Sequence, residues 1–271
     1  VKTSRRLRDH PAVIAALAIA VVLGLLWLAD SALAARAEAR LSSSAERSAG
    51  LQSSPKSYIG GLPFAQVLVT GEVPLVSLDV LDVDVAGLGI VNARSEFAEL
   101  EIPAARAYRG EIIGAPVSAV TRSVSLDGVA LGQVLNMTDL DIKNPYDISP
   151  GGGVAAEAQL TGTPVGFDEP VSVLTKLRLD AGEFTMRVTD VLSAPEGREE
   201  EATEAFTLTR DTTSLPIGGP ATAVYLAGGS ITFEHARYRT VIAEEDLVPS
   251  ATGNSRFTRE GGGEPPRLPQ P

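Results

Sequence analysis

Three spacings of apolar residues follow one another along this chain. From Ala12 to Ala29 no charged residue interrupts the apolar run. Those 18 residues, wound as a helix, reach about 27 Å, close to the ~30 Å hydrocarbon thickness of a bilayer. The run predicts a single transmembrane helix, with Trp27 near its far end as an interfacial ring. Next, Ala34, Ala37, Leu41, Ala45 and Ala49 recur at three- and four-residue spacing, which predicts a helix over residues 30–52 that Ser53, Ser54 and Pro55 end. Its apolar stripe is mostly alanine, so another element can approach it closely, and Arg36, Arg40 and Arg47 lie on its other faces. From about residue 57 the spacing falls to two. Val171, Val173, Thr175, Leu177 and Leu179 alternate with polar neighbours, as do Phe184, Met186 and Val188, so residues 171–189 read as a hairpin turning at Asp180–Glu183. A second hairpin turns at Ala227–Ser230.

Within VSLDVLDVDV the alternation slips, from Val76, Leu78 and Val80 to Leu81, Val83 and Val85. Such a slip predicts a β-bulge, which bends and twists a strand. Residues 131–136 suit one short helical turn, and the acidic stretch from Ala194 to Ala205 reads as a solvated loop. The fold class expected is α+β: a curved antiparallel sheet of eight to ten strands wrapped around one long N-terminal helix, preceded by the transmembrane helix. The corresponding organisation is a basic cytoplasmic segment at 1–11, a transmembrane anchor or uncleaved signal at 12–29, an α+β domain at 30–248 and a disordered tail at 249–271, rich in Gly, Pro and charge.

Charge sets the orientation and removes some functions. Arg5, Arg6 and Arg8 before the apolar run predict an N-terminus inside and the body on the outer face of the cytoplasmic membrane, periplasmic or extracellular. A cleavable signal ending at Ala32-Leu33-Ala34 is the competing reading, and the length of the run favours the anchor. The net charge of −11 argues against nucleic-acid binding by phosphate neutralisation. The absence of cysteine excludes disulfides, thiolate metal sites and cysteine nucleophiles.

Little in the chain points to catalysis. His10 precedes the apolar run and His235 stands alone in a strand pattern, so neither forms a zinc site or a catalytic pair. Ser53-Ser54-Pro55-Lys56 matches S-x-x-K, but proline breaks the helix that motif needs. Asp79, Asp82 and Asp84 crowd one strand, as acids on a wet face do, and lack the glycine turn of a calcium loop. Asn136-Met137-Thr138 is a glycosylation sequon only by its letters. No enzyme, cofactor or metal is expected, and the sequence identifies no protein partner.

What remains is shape. A curved apolar sheet closed on an alanine-rich helix can leave a long apolar cavity, where each buried methylene contributes about 0.8 kcal/mol. In GGLPFAQVL, two glycines allow the chain to reverse and Pro63 fixes the path into the sheet. Leu62, Phe64, Val67 and Leu68 are the candidate lipid-binding residues at the mouth. The alternative is a structural or partner-binding envelope protein with a filled core, the alanines serving close packing.

Several segments together resemble the actinobacterial LmeA-like phospholipid-binding family. They are Asp30 with the helix to Leu51, GGLPFAQVLVTGEV at 60–73, VSLDGVALGQVLN at 124–136 and LPIGGPATAVYLAGGSITF at 215–233. The resemblance covers roughly residues 30–245. It implies an exported, envelope-associated protein that binds phospholipid at a membrane, with a curved sheet around a long helix like that of tubular lipid-binding proteins. It carries no catalytic residues. Leu62 and Ile217 stand where the family commonly has phenylalanine.

Overall fold

The computed structural model describes residues 11–49, 54–85, 88–145 and 153–247. The expected basic segment, His10, Ser53 and the tail from 249 fall outside them. One unbroken helix, α1 (Pro11–Ala49), contains both the apolar run and the alanine stripe. Every described side chain from Val13 to Ala29 is exposed. Ala37, Leu41 and Ala45 are buried, so the helix changes role at Asp30 from a bare apolar rod to a packed element.

The strands form two antiparallel sheets. The first has the order β1-β2-β3-β4-β11-β10. Its members are β1 (Lys56–Ile59), β2 (Glu72–Val85), β3 (Gly89–Glu101), β4 (Pro116–Leu126), β10 (Ala223–Ala227) and β11 (Ser230–Val241). The second has the order β5-β6-β7-β8-β9. It comprises β5 (Asp141–Lys143), β6 (Ala155–Gly162), β7 (Val171–Asp180), β8 (Glu183–Ser193) and β9 (Leu208–Asp211). Both expected hairpins are present, pairing Asp180 with Glu183 and Ala227 with Ser230 across two-residue turns. Their apolar faces meet: the Phe184 ring of β8 stands edge-on to Phe233 of β11 at 4.8 Å. The α+β class expected from the sequence is the class observed, with two antiparallel sheets of six and five strands in place of the single curved sheet expected.

Curvature in the first sheet has two local causes. The register of β2 on β3 shifts between Val80 and Val83, and Asp82 takes a left-handed φ of 56°. This is the bulge that the slipped alternation predicts. Further along, Glu99 in β3 (φ 50°) and Arg239 in β11 (φ 49°) flank Ser118 of β4, the strand between them. Left-handed non-glycine residues on both neighbours of one strand twist the sheet there. α1 packs on the core face at the β1 edge: the Ser57 hydroxyl donates to the Glu38 carbonyl at 2.6 Å, and the Ile59 N–H donates to Glu38 Oε1 at 2.9 Å.

Two expectations need correcting in detail. The short turn at 131–136 is a longer helix, α4 (Gly128–Leu135), because the Asp127 side chain caps it by accepting the Ala130 N–H at 2.9 Å. The acidic stretch at 194–205 is not a solvated loop throughout. It contains α5 (Glu199–Ala205), with three glutamates in the first turn where the helix dipole favours them. Ala202 and Phe206, four residues apart on one face, are fully buried. Arg198 closes the site, its guanidinium 3.8 Å above the Phe167 ring.

Replacing Phe206 by alanine is therefore expected to cost about 3 kcal/mol or more. Glu200→Ala, on the exposed face of the same helix, is expected to stay within about 0.5 kcal/mol of the parent. Thermal unfolding of both variants in detergent distinguishes a docked helix from a free acidic loop.

Candidate functional site

Asp30 is the first charged residue after the apolar run and is only 7% exposed. A carboxylate there needs strong donors. It receives two: the Phe64 N–H donates to Oδ2 at 2.7 Å and the Ala65 N–H to Oδ1 at 2.6 Å. These amides open the 3-10 turn Phe64–Gln66, whose own cap position, Pro63, supplies no side-chain acceptor. The carboxylate acts as an N-cap delivered from another element, and its charge complements the amide ends it meets. Gly61, at φ 111°, makes the reversal that brings the corner back to α1.

The turn runs directly into α2 (Val67–Thr70), and together they sort the corner's side chains by direction. Phe64 and Val67 are 1% and 2% exposed, whereas Leu62, Leu68 and Val69 are 79%, 65% and 90% exposed. Phe64 stands edge-on to Tyr108 at 5.0 Å. Burial first, then the Asp30 carboxylate, raises the Tyr108 phenol above its usual value. Of the four residues that the sequence places at a mouth, two are thus anchored in the core and two point outward. Val69 joins the outward pair, and its place directly after Leu68 was the only sequence signal for it.

A second wall lies along α1 past Asp30. Tyr108, Arg109 and Gly110 follow α3 (Ala104–Ala107) and run against the helix. At Gly110 a Cβ would stand 2.8 Å from the Ala37 carbonyl oxygen and 2.9 Å from the Leu41 nitrogen. Only glycine fits so close to a helix backbone. Here the small residues of the stripe serve close packing.

The residues weighed for chemistry occupy structural places. His235 Nδ1 lies 2.7 Å from the Pro220 carbonyl oxygen, within hydrogen-bonding distance. Asp79 pairs with Arg94 at 3.1 Å. Among the described residues, no group of three or more His, Cys, Asp or Glu side chains is arranged to hold a metal. Arg122, nearly buried in β4, donates to the Pro216 carbonyl at 3.1 Å, and burial lowers its guanidinium below its usual value against the pull of Asp246.

Comparison with known proteins gives one match. A model of the LmeA-like phospholipid-binding family aligns with residues 28–236, which include Asp30, the corner and most of both sheets. No curated protein and no solved structure matches significantly.

Asp30→Ala leaves two enclosed N–H groups without acceptors, at about 1–3 kcal/mol for each. Hydrogen exchange is expected to show the Phe64 and Ala65 amides losing protection in that variant, with Asp30→Asn intermediate. Unchanged exchange at both amides would show that the carboxylate does not hold the corner.

Proposed function

The chain belongs to the LmeA-like phospholipid-binding family, and from that premise we propose that it binds phospholipid without catalysis at the outer face of the membrane that α1 crosses. The membrane reading is supported by α1 itself, whose mean hydropathy over the candidate span is 2.5 and whose apolar half is bare. Exposed apolar surface of that extent needs an apolar environment. The basic residues before it support an inside N-terminus.

The observation that carries the reading is the exposed trio Leu62, Leu68 and Val69, tied through Asp30 to the residue where the apolar run of α1 ends. A helix spanning the bilayer up to Ala29 sets this trio at the level where lipid leaves the hydrocarbon layer. Acyl chains pass along Leu62 and Leu68 toward the seam between α1 and the curved sheet, whose inner end Phe64 and Val67 occupy. The headgroup stays outside. Each methylene moved from water contributes about 0.8 kcal/mol, so one chain suffices for stable binding. The same chemistry supports transfer if the seam opens reversibly.

One observation favours the alternative of a filled core that docks another envelope component: Gly110 lies tight against α1, over the stripe where the cavity was expected. Native mass spectrometry of the full chain, extracted in a mild detergent, separates the two. The lipid-binding reading expects adducts of phospholipid mass, with the same lipid recovered by solvent extraction. Protein only at its apo mass under those conditions would favour the filled core.

A further inference from the structure

The arginines of α1 share one face. Arg36, Arg40, Ser43 and Arg47 are spaced by four, three and four residues, which stacks them along the helix. They line a groove of about 740 Å³ whose other wall is Arg109, Gly110 and Glu111. That volume falls in the range of small-ligand sites, roughly 300–1,000 Å³. The helix sorts its charges: Glu38 accepts the Ile59 N–H on the sheet side, and Glu46 accepts the Ser54 hydroxyl. Neither carboxylate lines the groove. Glu111 does, and it is paired with Arg109 at 2.8 Å. Arg40 makes a long contact to the Tyr108 carbonyl at 3.4 Å, and among the described residues Arg36 and Arg47 have no carboxylate partner. Repelling guanidiniums on one helix face are unfavourable without a counter-anion, and they concentrate in a chain of net charge −11.

We infer that this groove receives the phosphate of an anionic phospholipid headgroup. The inference rests on the lipid-binding reading above and gives the headgroup a place. Position along α1 argues for a lipid as the source of the phosphate. Arg36 is seven residues past Ala29, about 10 Å along the axis, just beyond a headgroup layer of roughly 5–7 Å. Helical side chains lean toward the N-terminus, so Arg36 and Arg40 reach back toward that layer. The planar guanidinium pairs with phosphate oxygens two at a time. Gly110 fixes the far wall by its contact with the helix backbone. A phosphate entering between the walls meets Arg36 first and Arg40 one turn deeper.

The test uses the full chain in mixed micelles of phosphatidylglycerol and phosphatidylcholine, with bound lipid counted by native mass spectrometry. The parent is expected to retain phosphatidylglycerol about fivefold or more over phosphatidylcholine. Arg36→Gln/Arg40→Gln is expected to abolish that preference while total bound lipid persists. Arg178→Gln/Arg187→Gln, which removes the same charge from exposed positions on β7 and β8, is expected to leave the preference intact. Both helix positions are exposed and glutamine suits a helix, so folding of the first variant is checked by its unchanged thermal midpoint. A preference that survives Arg36→Gln/Arg40→Gln, or one that Arg178→Gln/Arg187→Gln removes equally, would overturn the inference and leave lipid binding standing. A parent that binds neither lipid overturns both. Titration with inorganic phosphate covers the soluble source: binding that depends on Arg36 and Arg40, without any lipid preference, would reassign the groove to a free anion.

Discussion

A carboxylate one residue past an apolar run in the same helix, shut away from water, must be met by donors or it destabilises the fold. Asp30 is met by the Phe64 and Ala65 amides, and this pairing ties the GGLPF corner to the end of the apolar run. The rest of the site follows from that tie. Once the two amides are held, Phe64 turns inward to Tyr108, Val67 follows it into the core, and Leu62, Leu68 and Val69 have nowhere to go but outward. Without the tie, the corner would be held to α1 only by apolar contact and through the strand before it, where Glu38 accepts the Ile59 N–H, and the exposed trio would be less firmly placed on the helix.

The helix then acts as a ruler with three differently marked stretches. Its first half is bare and apolar, its alanine stripe carries the sheet, and its arginine face looks into an open groove. Because α1 is continuous, a displacement at one stretch is carried to the others. The greasy ridge and the arginine-lined groove therefore hold fixed heights relative to the apolar half of the helix. That spatial order, apolar below and cationic above, matches the build of a phospholipid standing in its leaflet.

Much of the fold was legible because it depends on local spacing. The two hairpins, the slip near Leu81 and the alanine stripe are all patterns over a few residues. What stayed hidden depends on partners distant in sequence. Nothing near Asp30 indicates that its donors lie 34 and 35 residues away, and nothing near Gly110 reveals that it rests on the backbone of Ala37 and Leu41. The arginines of α1 read as scattered over the helix's other faces until the loop at Arg109–Glu111 made a wall opposite them. Phe206 was masked differently, since five glutamates between Glu196 and Glu204 outweighed one apolar pair at helical spacing. Phe64 and Leu62 have equally apolar side chains, and only the turn geometry fixed by Asp30 assigns one to the core and the other to the surface.

Lipid capture at the corner requires that Leu62, Leu68 and Val69 stand at the surface of a bilayer crossed by α1. A spin label at position 68, in the full chain reconstituted into vesicles, reports its depth through collision with oxygen and with a water-soluble relaxant. A label at position 165, on an exposed side chain beyond the second sheet, serves as the aqueous reference. The label at 68 is expected to favour oxygen and to lie at or below the phosphate level, while the label at 165 favours the aqueous relaxant. Equal and fully aqueous accessibility at both positions would contradict it, because the corner would then stand clear of the membrane.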